Sequence, residues 1–237
     1  MTNLLNAEPK IRIYPEKLIE FFDRRQEDNG YGTHTSAINA WIGEDLVLGL
    51  YIDHLSRSGV KDLALISYKC TTGKRKRPHL DAWIACDGNV LRQVEVKNWA
   101  ANAIGGEQVD PEPDEKDLVG SAKRIFVRYF NHPKVKDKVL KVLEPDMFAP
   151  EGCETLDKVP TLAVWSVIAQ KRHLAPCFSV KNTFRPESPF KLLDLFSASL
   201  CLREQIKRKR RHIAIYMPRF RRRMQLLKTL TDLSWLE

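Results

Sequence analysis

The 237-residue chain has no apolar run approaching the length of a membrane-spanning helix, which needs about 20 predominantly apolar residues. Its N-terminal stretch, MTNLLNAEPKIRIYPEKL, lacks a basic segment followed by an apolar one, so no secretory signal is expected. The five cysteines, Cys70, Cys86, Cys153, Cys177 and Cys201, are scattered, and none forms a Cys-x-x-Cys pair. Neither a zinc site nor a disulfide framework is therefore indicated, and a reducing cytoplasm is the expected location. Internal repeats, low-complexity segments, zinc fingers and helix-turn-helix signatures are also missing. The last two absences remove the common routes to base-specific readout.

What is present suits an ordinary soluble α/β domain, with 43% hydrophobic residues to build a core. The net charge is +9, and its distribution is uneven. From Arg203 to Lys228 there are eleven Lys or Arg against one acid, Glu204, so the rest of the chain is close to neutral. A localised excess of this kind favours a polyanion such as nucleic acid over a merely solvated helical face. Lys207, Arg208, Lys209, Arg210 and Arg211 form one cluster within it, and Arg221, Arg222 and Arg223 another.

The stretch His79–Trp99 predicts an antiparallel hairpin. Leu80–Cys86 and Leu91–Lys97 are alternating apolar runs, and Asp87, Gly88 and Asn89 supply turn chemistry between them. Glu95 and Lys97 share one strand face, while Val94 and Val96 take the other. A turn centred on Gly88 places Asp81 opposite Glu95. Two carboxylates would then meet beside an ammonium group, and the carboxylates repel unless a cation lies between them. A hard divalent ion suits that gap, and a nearby lysine can orient water or stabilise developing charge on a phosphoryl group.

The remaining chain reads as follows. Tyr14–Arg25 predicts a short helix, with Leu18, Phe21 and Phe22 inward. Thr33–Arg57 predicts a helix whose stripe includes Ile38, Trp41, Ile42, Leu48, Ile52 and Leu55, with Glu44 near that stripe. Val60–Lys69 predicts a strand, and the turn after it carries Lys74, Arg75, Lys76 and Arg77 as candidate phosphate contacts. Residues 98–114 predict a loop, and Glu115–Asn131 an amphipathic helix bearing Lys123 and Arg124. Thr161–Ala169 predicts a buried central strand. Pro189–Lys209 predicts a long helix and His212–Met217 a strand, with a last helix starting at Pro218.

This order, with an acid on the first helix, Asp81 on the second strand and Glu95-Val96-Lys97 on the third, resembles the PD-(D/E)XK, restriction-endonuclease-like nuclease superfamily. The resemblance spans roughly residues 33–217, and its motif is confined to Glu44, Asp81, Glu95, Val96 and Lys97. Leu80 stands where the founding pattern has proline. The resemblance implies a mixed central β-sheet flanked by helices. It implies Mg²⁺ or Mn²⁺ held by Asp81 and Glu95, with the Val96 carbonyl as a further ligand. It gives Lys97 the task of positioning or activating the attacking water, and Glu44 that of orienting a metal-bound water or binding the metal. Lys123 and Arg124 would contact the DNA backbone. Beside the resemblance, the hairpin register sets His79 opposite Lys97, a surface histidine with a contact to substrate or to the lysine as the other reading, and Trp99 reads as a core-edge aromatic, with stacking on a base as the other reading.

The implied organisation is an N-terminal extension over 1–32, a nuclease core over 33–217 and a basic C-terminal helical segment over 203–237 packed on that core. The implied function is metal-dependent DNA endonuclease action in bacterial, phage or mobile-element DNA processing or defence. A homodimer or a partner protein is compatible with it. The alternatives are a catalytically silent nucleic-acid-binding or assembly module of the same fold, and an RNase.

Overall fold

The computed structural model describes residues 2–3, 10–19, 43–68, 80–100, 140–145, 147, 149–166, 175–182, 185–217, 219–220, 223 and 225. Among these residues the architecture is mixed α/β. A seven-stranded mixed sheet has the order β1-β3-β4-β5-β6-β8-β7, and β2 and β9 form a separate two-stranded ribbon. The strands are β1 (Thr2–Asn3), β2 (Lys10–Ile13), β3 (Ala64–Tyr68), β4 (Ala82–Cys86), β5 (Val90–Ala100), β6 (Asp157–Ser166), β7 (Cys177–Lys181), β8 (Leu192–Ser197) and β9 (Ile213–Tyr216). The helices are α1 (Glu44–Arg57) and α2 (Ala198–Lys207), and a 3₁₀ turn covers Leu140–Leu143.

The β4–β5 hairpin has the expected register. Ala82 pairs with Val94, Trp83 with Gln93, Ile84 with Arg92, Ala85 with Leu91 and Cys86 with Val90. Strands β3, β4 and β5 run antiparallel in turn, whereas β6 lies parallel to β5 and β8 parallel to β6. Because side chains alternate, the sheet has two apolar faces. One packs Val94, Val96 and Ile84 against Leu46, Leu50 and Tyr51 of α1 and Cys201 of α2. The other packs Trp83, Leu91, Leu162 and Leu193 against Val142 and Leu143 of the 3₁₀ turn.

Helix α1 carries Glu44 and Asp45 in its first turn and His54 and Arg57 in its last, which suits the helix dipole. Gly59, at φ 83°, closes it. The Gly59 amide donates to the Ser56 carbonyl and the Val60 amide to the Leu55 carbonyl, so two carbonyls left by the helix end are satisfied. Residues 33–42, with Ile38, Trp41 and Ile42, lie outside the described residues.

The long helix expected over 189–209 is not formed. Its first part is β8, held between β6 and β7, and the helix begins only at Ala198, where the Ser197 hydroxyl accepts from the Leu200 amide. Leu193 and Leu195 enter one core while Asp194, between them, binds Ser179 on the other face. Period-2 burial and strand neighbours on both sides outweigh the helical spacing of Leu193, Phe196 and Leu200. Strand β7 was not anticipated. Residues 203–217, where the expected core and basic segment overlap, form the end of α2, a turn and β9. No helix among the described residues is long and apolar enough to cross a membrane.

Candidate functional site

Asp81 lies one residue before β4, at a bend, where the ladder to β5 ends. Continuing the ladder would pair Leu80 with Val96. Instead the Asp81 carboxylate takes the Val96 amide, accepting at 2.9 Å through Oδ2. The side chain thus supplies the acceptor that a strand carbonyl would have supplied. In an extended strand the N–H and C=O of one residue point to the same neighbour. The Val96 carbonyl therefore faces the same edge as the Asp81 carboxylate. Asp81 is buried.

Glu95 is on the next position of β5 and points to the opposite face from Val94 and Val96. It is 1% exposed. A carboxylate so far from water is costly unless it is paired. Lys141, on the 3₁₀ turn, brings its Nζ to 2.7 Å from Glu95 Oε2. The turn is braced on that face: the Gln93 amide donates to the Val142 carbonyl, and the Ser188 hydroxyl donates to the Leu143 carbonyl at 2.6 Å. Arg185 and Glu144 add an ion pair of 2.9 Å at the turn's end.

Lys97 occupies β5 opposite Val164 of β6, and one extra β5 residue is accommodated between Lys97 and Ala100. Bulges of this type re-aim the chain and are common beside active sites. Glu44 is the first residue of α1, half-buried, in the layer that packs on the Val94/Val96 face. The C-terminal end of α1 leads into β3 beside the β4–β5 turn, where Asp87 donates its amide to the Lys61 carbonyl. The N-terminal end of α1 accordingly lies towards the end of the sheet that carries Asp81 and Val96. Glu44 approaches that end from the other layer than Glu95.

Other expected contacts are placed as follows. Lys207, Arg208, Arg210 and Arg211 are exposed in the segment from the end of α2 to β9, and Arg208 is paired with Glu204 at 2.5 Å. Lys74, Arg75, Lys76, Arg77, His79, Lys123, Arg124, Arg221 and Arg222 lie outside the described residues, as do the Lys97 and Trp99 side chains.

Two acids near this end were not singled out from sequence. Asp45 is fully buried and accepts the Arg219 amide at 3.3 and 3.2 Å, tying the start of α1 to the chain beyond β9. Asp194 meets Arg92 at 3.0 Å, and Arg92 also donates to the Tyr51 hydroxyl at 3.2 Å. Burial pushes the Tyr51 hydroxyl up, against the opposing pull of Arg92. This second polar group joins β5, β7, β8 and α1 beneath the helix, on the face away from Glu95.

Among the described residues, no group of three or more His, Cys, Asp and Glu side chains gathers to hold a metal. The groups that could serve as donors at the end of β5 are the Asp81 and Glu95 carboxylates and the Val96 carbonyl. That set does not suit a closed zinc cage. It does suit a hard cation that retains several waters and takes only one or two carboxylates from the protein. Comparison with protein-family models, curated proteins and solved structures finds no match.

Proposed function

We propose that the chain is a divalent-metal-dependent nuclease with a restriction-endonuclease-like core, hydrolysing phosphodiester bonds of DNA. The observation that carries this reading is the pair of buried acids at the end of one hairpin. Asp81 turns its carboxylate onto the Val96 amide, and Glu95 and Lys97 flank Val96 on the same strand. The order of elements supports it too. A helix followed by three strands that pair in turn agrees with the start of the element order on which the sequence resemblance rests.

Asp81, Glu95 and the Val96 carbonyl would hold Mg²⁺ or Mn²⁺. When bound, such an ion supplies a lowered water pKa and neutralises charge on the phosphoryl oxygens. Lys97 orients the attacking water and stabilises the negative charge that develops at phosphorus. Glu44, from the neighbouring layer, orients a water at the same end of the sheet. The exposed cations after α2 supply affinity for the phosphate backbone.

A second reading draws on the Lys141–Glu95 pair. A lysine already neutralising the buried acid is what a purely structural ion pair would provide, so a catalytically silent nucleic-acid-binding module is the alternative.

The test is cleavage of supercoiled and linear DNA, and of RNA in parallel, with Mg²⁺, Mn²⁺ or chelator. Lys97→Ala and Asp81→Asn are compared with the parent. Asn at 81 keeps a carbonyl oxygen for the Val96 amide while removing the charge, so a loss of activity is not a loss of fold. The expected result is metal-dependent DNA cutting that both variants abolish, with DNA binding nearly unchanged. DNA that is retarded but uncut under every metal condition would leave the binding-module reading in its place.

A further inference from the structure

The β2–β9 ribbon has an outer face that the cleavage chemistry does not use. Lys10 pairs with Tyr216, Arg12 with Ala214 and Ile13 with Ile213. Burial alternates accordingly. Ile213 and Ile215 are buried, whereas Ala214, Lys10 and Arg12 are exposed. Continued by one more pair on this face, the ladder brings Tyr14 to His212, and their rings lie 6.3 Å apart at 58°. Tyr14 is 40% exposed. Lys17 holds its Nζ 5.4 Å from the centre of the Tyr14 ring.

The chain enters β9 from a run of five cations and a histidine, Lys207–His212, all exposed. Arg208 leans back onto Glu204, and Lys209 adopts a left-handed φ of 56°, which turns the chain sharply there. An exposed ring just beyond a strand pair, with Lys17 against it, Lys10 and Arg12 further along the same face and this turn leading into β9, offers a π-face and a positive field together. A ligand that fits both must carry flat π-surfaces open to contact and closely spaced negative charges. A duplex has the charges but keeps its base faces stacked. An acidic peptide has the charges without the regular planar groups. A single strand has both.

We propose that the outer face of the β2–β9 ribbon is a platform for single-stranded nucleic acid, with Tyr14 and His212 stacking on bases and Lys10, Arg12 and the Lys207–Arg211 turn holding phosphates. The proposal deepens the nuclease reading, on which its biological use rests, by naming single-stranded substrate. Its binding claim is testable without cleavage.

The experiment is fluorescence anisotropy in chelator, using the full chain. The probes are a labelled oligo-dT and a hairpin duplex of equal nucleotide number, with polyglutamate as competitor. Tyr14→Ala and Arg12→Ala are compared with the parent after circular dichroism shows the fold intact. The expected result is tighter binding to oligo-dT than to duplex. Tyr14→Ala should weaken the oligo-dT complex about tenfold and leave the duplex complex unchanged, as loss of one stacked base would. Arg12→Ala should weaken both and reduce the salt dependence by roughly one phosphate contact.

Three outcomes overturn the proposal: equal affinity for oligo-dT and duplex, oligo-dT binding that ignores Tyr14, or displacement by polyglutamate as readily as by unlabelled oligo-dT. The two readings fail separately. Tyr14-independent binding alongside Lys97-dependent cutting removes the platform and leaves the nuclease. Tyr14-dependent binding of uncut DNA does the reverse.

Discussion

Glu95 and Lys141 are 46 positions apart in sequence and 2.7 Å apart in space. Removing one partner of a buried ion pair commonly costs about 3–5 kcal/mol, because the other charge stays behind. Lys141→Met should therefore lower the melting temperature in chelator. If Glu95 belongs to a metal site, Mn²⁺ should restore much of that loss and bind the variant more tightly than the parent, since it no longer competes with an ammonium group. Titration calorimetry with Mn²⁺ and melts with and without the ion check this; a melting loss that Mn²⁺ cannot reverse would mark the pair as structural. His54 offers a second test at this scale. Burial, and then Arg57, hold its ring below the usual histidine range, against the pull of Glu204 and Asp53. The folded chain therefore prefers the neutral ring, and the unfolded chain takes up a proton first as pH falls below about 6.5. Stability from this group is complete above that pH and is lost as pH falls through the range between the unfolded and folded values. His54→Gln should flatten the decline in urea-unfolding stability between pH 7.5 and 5, and an unchanged slope would exclude this account. The β4–β5 hairpin was legible because its turn chemistry is local, although Asp81, expected on the strand opposite Glu95, lies at a bend just before it. Lys141 and Asp45 were not, because their partners, Glu95 and the Arg219 amide, come from distant parts of the chain.

At the scale of elements, α1 explains why the sequence could be read only in part. Its apolar residues suggested one stripe packed on a sheet. The helix is instead buried on both sides. Tyr51 reaches Arg92 of β5, while Gly49, about 200° further round the helix, faces β9. A Cβ added at Gly49 would lie 2.5 Å from the Tyr216 carbonyl oxygen. The contact is with backbone, which cannot swing aside as a flexible side chain would. Gly49→Ala should thus destabilise the fold by about 1–3 kcal/mol, the usual range for overpacking, despite alanine's better helix propensity. Urea unfolding measures it; a variant as stable as the parent would mean that the ribbon does not sit this close. The hairpin and β6 were legible because alternation or a continuous apolar run matched their burial. Strand β8 was not, since Leu193, Phe196 and Leu200 fit a helix equally well and only the flanking β6 and β7 settle the choice.

For the whole molecule, the order of layers separates the proposed cutting site from the proposed platform. The Glu95 face of the sheet carries the 3₁₀ turn, the other face carries α1, and the ribbon packs on the far side of α1. Packed layers lie about 10 Å apart, so the ribbon is about 20 Å from the sheet. The end of the ribbon that pairs Lys10 with Tyr216 lies towards the start of α1, where the chain leaving β9 reaches Asp45, and the Asp81 end of the sheet lies on the same side. Tyr14 and His212 are at the ribbon's other end, so a strand would also have to run along the ribbon. At the stacked spacing of about 3.4 Å per nucleotide, a strand would take about six nucleotides to cross the layers alone. If platform and cutting site act on one strand, cleavage should need a longer oligonucleotide than binding does. Across a dT series of about 4 to 20 nucleotides, anisotropy should level off before metal-dependent cutting begins. Tyr14→Ala should raise KM for the longer members and leave kcat near the parent's, because the tyrosine adds affinity remote from the reacting phosphate. Binding and cutting with the same length threshold, or a Tyr14→Ala variant that loses kcat alone, would show that the ribbon does not feed the site at the end of β5.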